Sequence, residues 1–125
     1  MAGLVGRLME TILYVADMPA QVSFYRDRLG LTVKYPAGLN DYSTEYWVEF
    51  ETGACTLVLH GGGQKRLGVD SPKLVFSVSD VAATREALLE RGVRLGEVRS
   101  PAPGVTVADG ADPEGNHFSI ESKER

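Results

Sequence analysis

The stretch that decides the fold is residues 10–33, which reads ETILYVADMPAQVSFYRDRLGLTV. Residues 11–15 are mostly apolar and include β-branched side chains, which predicts a short strand. Asp17 is the predicted N-cap of a following helix, because its carboxylate can accept hydrogen bonds from the free amides of the first turn. Gly30 is the predicted helix stop, since glycine readily adopts the left-handed conformation found there. Residues 31–33 then predict a second strand.

The same pattern returns half a chain later. Residues 73–78 predict a strand, Asp80 a cap, residues 81–91 a helix and Gly92 its stop, with a strand over residues 93–98. Gly30 lies 13 positions after Asp17, and Gly92 lies 12 positions after Asp80. The sequence therefore predicts an α+β fold built from two copies of one β-α-β-β-β unit, over about residues 9–60 and 72–122.

The segments between these landmarks complete each unit. In the first half we expect a loop over residues 34–43 and strands over residues 44–51 and 54–60. Alternation along the first of those strands places Tyr46, Val48 and Phe50 on one face and Trp47 and Glu49 on the other. In the second half we expect a loop over residues 100–104, a short strand over 105–108, and a tight turn over 112–116 before the last strand.

Length and composition restrict the kind of protein. The chain has 125 residues, of which 43% are hydrophobic, and this predicts a single domain, residues 1–125. A net charge of −4 argues against nucleic acid as a partner, because phosphate binding needs a basic surface. The single cysteine, Cys55, excludes an internal disulfide and favours a reducing, cytoplasmic location. No apolar run approaches the length of a membrane span, so no membrane partner is expected.

Three segments, taken in order, carry a family resemblance. They are LYVADM leading into SFYRDRLGLTV, then FSVSDVAATREALLERGV, and finally DPEGNHFSIES. With them the chain resembles the vicinal oxygen chelate superfamily, which includes glyoxalase I, bleomycin-resistance proteins and extradiol dioxygenases. The resemblance spans residues 10–122. It implies a curved mixed sheet around a cavity, helices on the outer face, a small-molecule ligand and a homodimer.

The resemblance also implies where a divalent metal would bind. Metal-dependent members place ligands on the first and last strand of each unit, and these positions fall here on Glu10, on one of residues 56–58, on Lys73 and on Ser119. Glu10 is a competent ligand, but a protonated lysine offers no lone pair and serine is a weak neutral donor. The sequence therefore favours a site without the usual metal. One hypothesis is that Lys73 pairs with Glu10 by a charge-assisted hydrogen bond, and the alternative is that both side chains face solvent.

A displaced metal site is the alternative. Glu10 and three further side chains could supply oxygen and nitrogen ligands for Zn, Ni, Mn or Fe: His60, His117 and Glu121. On the predicted last strand, His117 and Glu121 each lie about 7 Å from Ser119, which makes sharing one ion difficult. His117, Ser119 and Glu121 are expected to face the cavity, while Phe118 and Ile120 face the helix.

Aromatic side chains add candidates for ligand contact. Tyr14 is expected on a cavity-facing strand position, and Tyr46 and Trp47 lie on the following strand; as a set they are typical of a pocket that stacks a flat organic ligand. Taken singly, Tyr46 and Trp47 are each better explained as residues of the core or of a dimer interface. Glu49, on the face of Trp47, could meet a cationic group or solvent.

Three hypotheses for the function follow. The first is a metal-free small-molecule-binding protein, with Tyr14, Tyr46, Trp47, His60, Lys73, His117 and Ser119 as ligand-binding candidates. The alternative is a metal-dependent lyase, isomerase or dioxygenase that uses Glu10 as a ligand. A metal-free enzyme with Glu10 as catalytic general base is a third reading. The sequence leaves open whether the protein is an enzyme.

Overall fold

The computed structural model of the protein describes Leu4, residues 9–62 and residues 72–124. The chain divides into two compact units, Met1–Lys65 and Arg66–Arg125. The first contains β1 (Glu10–Val15), α1 (Met18–Ser23) with a π-helical continuation (Phe24–Arg28), β2 (Thr32–Tyr35), β3 (Trp47–Glu51) and β4 (Thr56–Gly61). The second contains β5 (Leu74–Ser77), α2 (Val81–Glu90), β6 (Arg99–Ala102), β7 (Val105–Ala111) and β8 (His117–Lys123).

The two units share one topology. The first sheet has the order β1-β4-β3-β2 and the second the order β5-β8-β7-β6. In each, the first strand runs parallel to the last, and the remaining neighbours are antiparallel. The α+β fold and its two β-α-β-β-β units are therefore confirmed. Because strand residues alternate between faces, each sheet has one face against its helix and one turned away, which we call the distal face.

In the first unit, the helix-side face holds the core. Residues of three adjacent strands are almost fully buried there: Leu13, Val15, Val48, Phe50, Leu57 and Leu59. Tyr25 lies against this layer, with its ring centroid 6.1 Å from that of Phe50. These side chains leave water as one apolar cluster, which is the main favourable contribution to folding such a unit. The distal face carries the alternate residues of the same strands, which are polar, aromatic and aliphatic side chains, among them the fully buried Val58.

Both predicted helix caps are present. The structure also explains why the first helical segment, from its cap to its terminal glycine, is one residue longer than the second. Asp17 Oδ1 accepts from the Ala20 amide at 3.1 Å, and Asp80 Oδ1 accepts from the Ala83 amide at 3.0 Å. Gly30 and Gly92 both have φ of +81°. The one-residue difference between the repeats coincides with the π-helical stretch Phe24–Arg28, whose wider turn accommodates an inserted residue.

In the second unit, α2 packs over β7 and β8. The buried layer on that side contains Phe118, Ile120, Ala108, Val81 and Leu88. Gly110 belongs to the same layer, because a Cβ added there would lie 2.6 Å from the Arg94 carbonyl oxygen. The backbone of β7 therefore approaches the preceding segment more closely than any side chain would allow.

Three predicted strands differ from those observed. Residues 93–98 form only an isolated bridge, between Leu95 and Gly110. The strand expected there is instead Arg99–Ala102, which overlaps the predicted loop over residues 100–104. β3 starts at Trp47 instead of residue 44. β7 extends to Ala111, past the predicted end at residue 108. In the described residues, no helix is long and apolar enough to cross a membrane.

Candidate functional site

The distal face of the first sheet carries a row of three aromatic rings. Tyr14 pairs in register with His60, and His60 with Trp47, so the three lie side by side on β1, β4 and β3. The ring centroids of Tyr14 and His60 are 5.1 Å apart, and those of Trp47 and His60 are 5.4 Å apart with an interplanar angle of 71°. All three side chains are half-buried. The tertiary structure therefore brings three of the predicted ligand-binding residues together.

Hydrogen bonds orient two of these rings. His60 Nδ1 lies 2.6 Å from the carbonyl oxygen of Gly61, and because a carbonyl only accepts, Nδ1 carries the proton. Nε2 is then the ring nitrogen left for a further partner. Trp47 Nε1–H donates to Glu49 Oε2 at 2.8 Å. Glu49 thus orients the indole within the protein, an interaction that the sequence did not predict.

Glu10 lies at the other end of the same face. It is half-buried at the start of β1 and pairs in register with Thr56. The register identifies Thr56 as the β4 position beside Glu10, which the sequence left open among residues 56–58. Thr56 Oγ1 accepts from Lys34 Nζ at 3.3 Å. A threonine hydroxyl occupied in this way is a neutral and poor metal donor.

The second sheet carries a different cluster, centred on Asp109. Asp109 pairs in register with Ser119, and the buried Ser119 hydroxyl donates to Asp109 Oδ1 at 2.5 Å. Lys73 Nζ donates to the same oxygen at 3.0 Å. Arg99 donates to Oδ2 through Nε at 3.3 Å and Nη2 at 2.7 Å. We call these four residues the Asp109 cluster.

The hydrogen bonds decide the ionisation of this carboxylate. Ser119, Arg99 and Lys73, in that order of importance, hold the pKa of Asp109 far below its usual range, and the opposing effect of burial is smaller. Asp109 is therefore ionised throughout the neutral range. Lys73 is bonded to Asp109, and its predicted pairing with Glu10 stays a prediction.

Asp109 and Arg99 were missed by the sequence analysis for an identifiable reason. The predicted strand over residues 105–108 ends one residue before Asp109, and Arg99 falls between a predicted strand and a predicted loop. Extending the predicted strand over residues 105–108 by three residues would have included Asp109, but its position opposite Ser119 depends on the register of β7 with β8. Arg99 depends on the position of β6, for which the sequence carries no comparable signal.

Two predicted ligand-binding residues lie apart from these clusters. Tyr46 precedes β3 and is 71% exposed, with its ring beside the backbone of Gly61. The alternation that placed Tyr46 with Val48 and Phe50 is therefore wrong at Tyr46, since β3 has not yet begun. His117 is exposed at the first position of β8. On β8, Phe118 and Ile120 are buried as expected, but Ser119 is buried as well.

The displaced metal set can be examined within each unit. Register places His60 opposite Tyr14, four residues along β1 from Glu10, a separation of about 13 Å. His117 and Glu121 are likewise four residues apart on β8. Ligand distances to such metals are near 2 Å, so at most one member of each pair can reach a given ion. Across the described residues, no group of three or more His, Cys, Asp and Glu side chains is arranged to hold a metal ion.

The donor chemistry at the family positions also fits a metal poorly. Of Glu10, Thr56, Lys73 and Ser119, only Glu10 supplies a charged oxygen. Lys73 is a cation, and Ser119 uses its hydroxyl proton on Asp109. Asp109 is a possible oxygen ligand, but its two oxygens already accept four hydrogen bonds.

These features define a class of protein, an α+β chain of two β-α-β-β-β units with site residues on the distal faces. The sequence matches the model of the Glyoxalase/Bleomycin resistance protein/Dioxygenase superfamily over residues 7–120. The chain therefore belongs to this superfamily, and the resemblance stated from the sequence is confirmed. No curated protein sequence matches the chain significantly.

Solved structures share the fold at low identity. TnmS3, an antibiotic binding protein from a Streptomyces species, is 20% identical with a TM-score of 0.75, over 98% of this chain and 100% of that one. Lactoylglutathione lyase from Agrobacterium tumefaciens is 20% identical with a TM-score of 0.71, over 95% of each chain. A glyoxalase family protein from Enterococcus faecalis is 16% identical with a TM-score of 0.74, over 93% and 97%. At these identities the likeness concerns the fold alone.

Proposed function

We propose that this protein binds a small organic molecule and does so without a divalent metal. The observation that carries the proposal is the row formed by Tyr14, His60 and Trp47 on the distal face of the first sheet. Half-buried rings offer a stacking surface, and His60 Nε2, which has no hydrogen-bond partner among the described residues, offers a directional hydrogen bond. A flat or extended ligand with a polar edge fits this arrangement.

The metal-free part of the proposal rests on donor chemistry. At three of the four positions where metal-dependent members carry ligands, this chain has a threonine bonded to Lys34, a lysine bonded to Asp109 and a buried serine bonded to Asp109, and only Glu10 remains as a usual ligand. Each of these three groups is already engaged with a neighbour, and none is an anionic donor. Binding of the organic ligand then depends on stacking and hydrogen bonds instead of coordination to an ion.

The comparison with TnmS3 agrees with a binding function, since that protein is described as antibiotic binding. We also propose a homodimer located in the cytoplasm, with neither nucleic acid nor membrane as a partner. Light scattering after size exclusion tests the dimer, with a single species of twice the chain mass as the expected result. A monomer at micromolar concentration would contradict it.

Trp47 is the chain's only tryptophan, so its fluorescence reports on the proposed site directly. We would titrate the protein with a library of aromatic organic compounds and follow Trp47 emission. A ligand that quenches saturably should bind about five- to tenfold more weakly to His60→Ala and to Tyr14→Ala, since aromatic contacts contribute up to about 1.5 kcal/mol each. Leu89→Ala, an exposed change on α2, is the control and should bind normally.

A library with no saturable quencher, or a ligand that both ring variants bind unchanged, would refute the aromatic site. Circular dichroism of each variant checks that a loss of affinity is not a loss of fold. The three variants keep Trp47, so one signal serves for all of them.

The second candidate is a metal-dependent lyase, isomerase or dioxygenase that uses Glu10 as a ligand. It is favoured by the half-buried carboxylate at the family's first ligand position and by the fold shared with lactoylglutathione lyase. Thermal melts with added Zn, Ni, Mn and Fe(II) separate the two candidates. A rise in melting temperature that Glu10→Ala abolishes would favour the enzyme, whereas no rise with any ion is the result expected for the metal-free site.

A further inference from the structure

The Asp109 cluster forms a polar row across the distal face of the second sheet. Lys73 immediately precedes β5, Ser119 lies on β8, Asp109 on β7 and Arg99 on β6. The cluster therefore runs across the sheet from the start of β5 to β6. With strands about 4.8 Å apart, the row spans roughly 14 Å. This is wide enough for several atoms of a ligand to lie along it.

The charges in this row do not cancel. Lys73 and Arg99 share one carboxylate, that of Asp109. On the same face, Glu121 is paired with Lys123 at 3.3 Å, and this second pair is neutral. One net positive charge therefore remains at the Asp109 cluster, on a protein whose overall charge is −4.

The donors in this row are also not exhausted. Arg99 uses one edge of its guanidinium on Oδ2, and Lys73 uses one of its three ammonium hydrogens on Oδ1. Among the described residues, Asp109 is the only hydrogen-bond partner of either cation. Both side chains are about half exposed, with 47% of Lys73 and 51% of Arg99 accessible. A ligand can therefore reach the unused donors.

We propose that Lys73 and Arg99 form a second binding site, on the distal face of the second sheet, for the carboxylate or phosphate group of a small anionic molecule. The inference goes beyond the proposed function and does not depend on the aromatic row of the first unit. Asp109 is a positioning residue, because it fixes both cations before the ligand arrives and so lowers the entropy lost on binding. A guanidinium edge matches two oxygens of an anion at once, which gives direction as well as attraction.

Two features keep Asp109 from repelling the anion. Each of its oxygens accepts two of the four hydrogen bonds, and both cations stand beside it. Its lowered pKa follows from these same contacts and means that the anchor stays charged at neutral pH. Beside the row, Val75 is 54% exposed opposite Ser119 and offers an apolar surface to the body of the ligand.

The test is a titration of the full chain with sodium phosphate, followed by amide nitrogen–proton NMR spectra at pH 7. Sodium chloride at matched ionic strength is the reference, and sodium acetate in a parallel series separates carboxylate from phosphate binding. We expect saturable shifts at the amides of Val75, Arg99 and Ser119. Lys73→Gln and Arg99→Gln should each weaken phosphate binding by about tenfold, the loss of one charge-assisted hydrogen bond.

A matched control exists in the other unit. Arg26 pairs with Asp27 at 2.7 Å and is similarly exposed, but in the part of the chain that the structure describes no second cation shares that carboxylate. Arg26→Gln should leave the phosphate affinity unchanged. Phosphate shifts that only follow those of chloride, or an equal loss with Arg26→Gln, would overturn the inference.

The titration also separates this inference from the proposed function. An aromatic ligand that quenches Trp47 while phosphate and acetate give no saturable shift would overturn the anion site and leave the binding function standing. Saturable phosphate shifts without any quenching ligand would support the anion site and count against the aromatic site.

Discussion

Replacing Ser119 by alanine should destabilise the second unit through one lost hydrogen bond. The Ser119 hydroxyl is fully buried and donates to Asp109 Oδ1 at 2.5 Å. Hydrogen bonds to charged acceptors contribute about 1.5–3 kcal/mol, and alanine leaves almost no cavity. Because 41% of the Asp109 side chain is exposed, water takes over part of the lost contact. We expect a decrease of about 1 kcal/mol in the free energy of unfolding at pH 7.

The loss should depend on pH in one direction. The pKa of Asp109 is lowered in the folded protein, chiefly by Ser119, so the carboxylate stabilises the fold above its unfolded pKa of about 3.9. That contribution is lost as the pH falls below this value towards the folded pKa. The unfolded pKa of Asp109 is the same in both proteins, so their difference in stability varies with pH only through the two folded pKa values. The difference should be constant from pH 8 to about 4 and shrink as the pH falls through the folded pKa of the variant, which Arg99 and Lys73 still hold below the unfolded value.

Urea unfolding at a series of pH values, followed by circular dichroism, measures both quantities. Ser122→Ala is the matched control, because Ser122 is half-buried on the same strand and its hydroxyl has no hydrogen-bond partner within the described part of the chain. In the Asp109→Asn variant, Ser119→Ala should lower the free energy of unfolding by clearly less than it does in the native protein, because the charged acceptor is gone. A Ser119→Ala effect no larger than that of Ser122→Ala, or one that is the same at pH 7 and pH 2, would refute the reasoning.

Three further substitutions test the packing and hydrogen bonds that support the two sheets, with the free energy of unfolding measured in urea. Gly110→Ala should lower the free energy of unfolding by about 1–3 kcal/mol, because the new Cβ would lie 2.6 Å from the Arg94 carbonyl oxygen. Gly96→Ala, whose new Cβ has its nearest contact at 3.6 Å, is the control and should leave the stability almost unchanged. Equal effects of the two substitutions would contradict the packing argument. Asp80→Ala should lower the free energy of unfolding by about 1 kcal/mol, because it removes the cap of α2. Asp80→Asn should retain most of the stability, because asparagine can also cap a helix. Tyr42→Phe should cost about 1 kcal/mol, because the buried ring loses a 2.8 Å hydrogen bond to a loop carbonyl; no loss would mean that water replaces the partner.

The candidate site was only partly predictable from the sequence. Alternation along β1 placed Tyr14 on the distal face, and the family position singled out Lys73 and Ser119. What joins Lys73 and Ser119 is Asp109, which lies on a neighbouring strand and is joined to Ser119 by register alone. Register depends on where each strand begins and ends, and strand ends carry the weakest local signal in a sequence.

The sequence by itself determined the helices, their caps and the repeat. Asp17 with Gly30, and Asp80 with Gly92, act on backbone groups within a few residues, so local chemistry is sufficient to define them. Only the tertiary structure decided that Lys73 bonds to Asp109, 36 positions away, and that Tyr14 lies beside His60. Those contacts depend on strand pairing between distant segments, whose partners are selected by the packing of the whole sheet and not by any single stretch of chain.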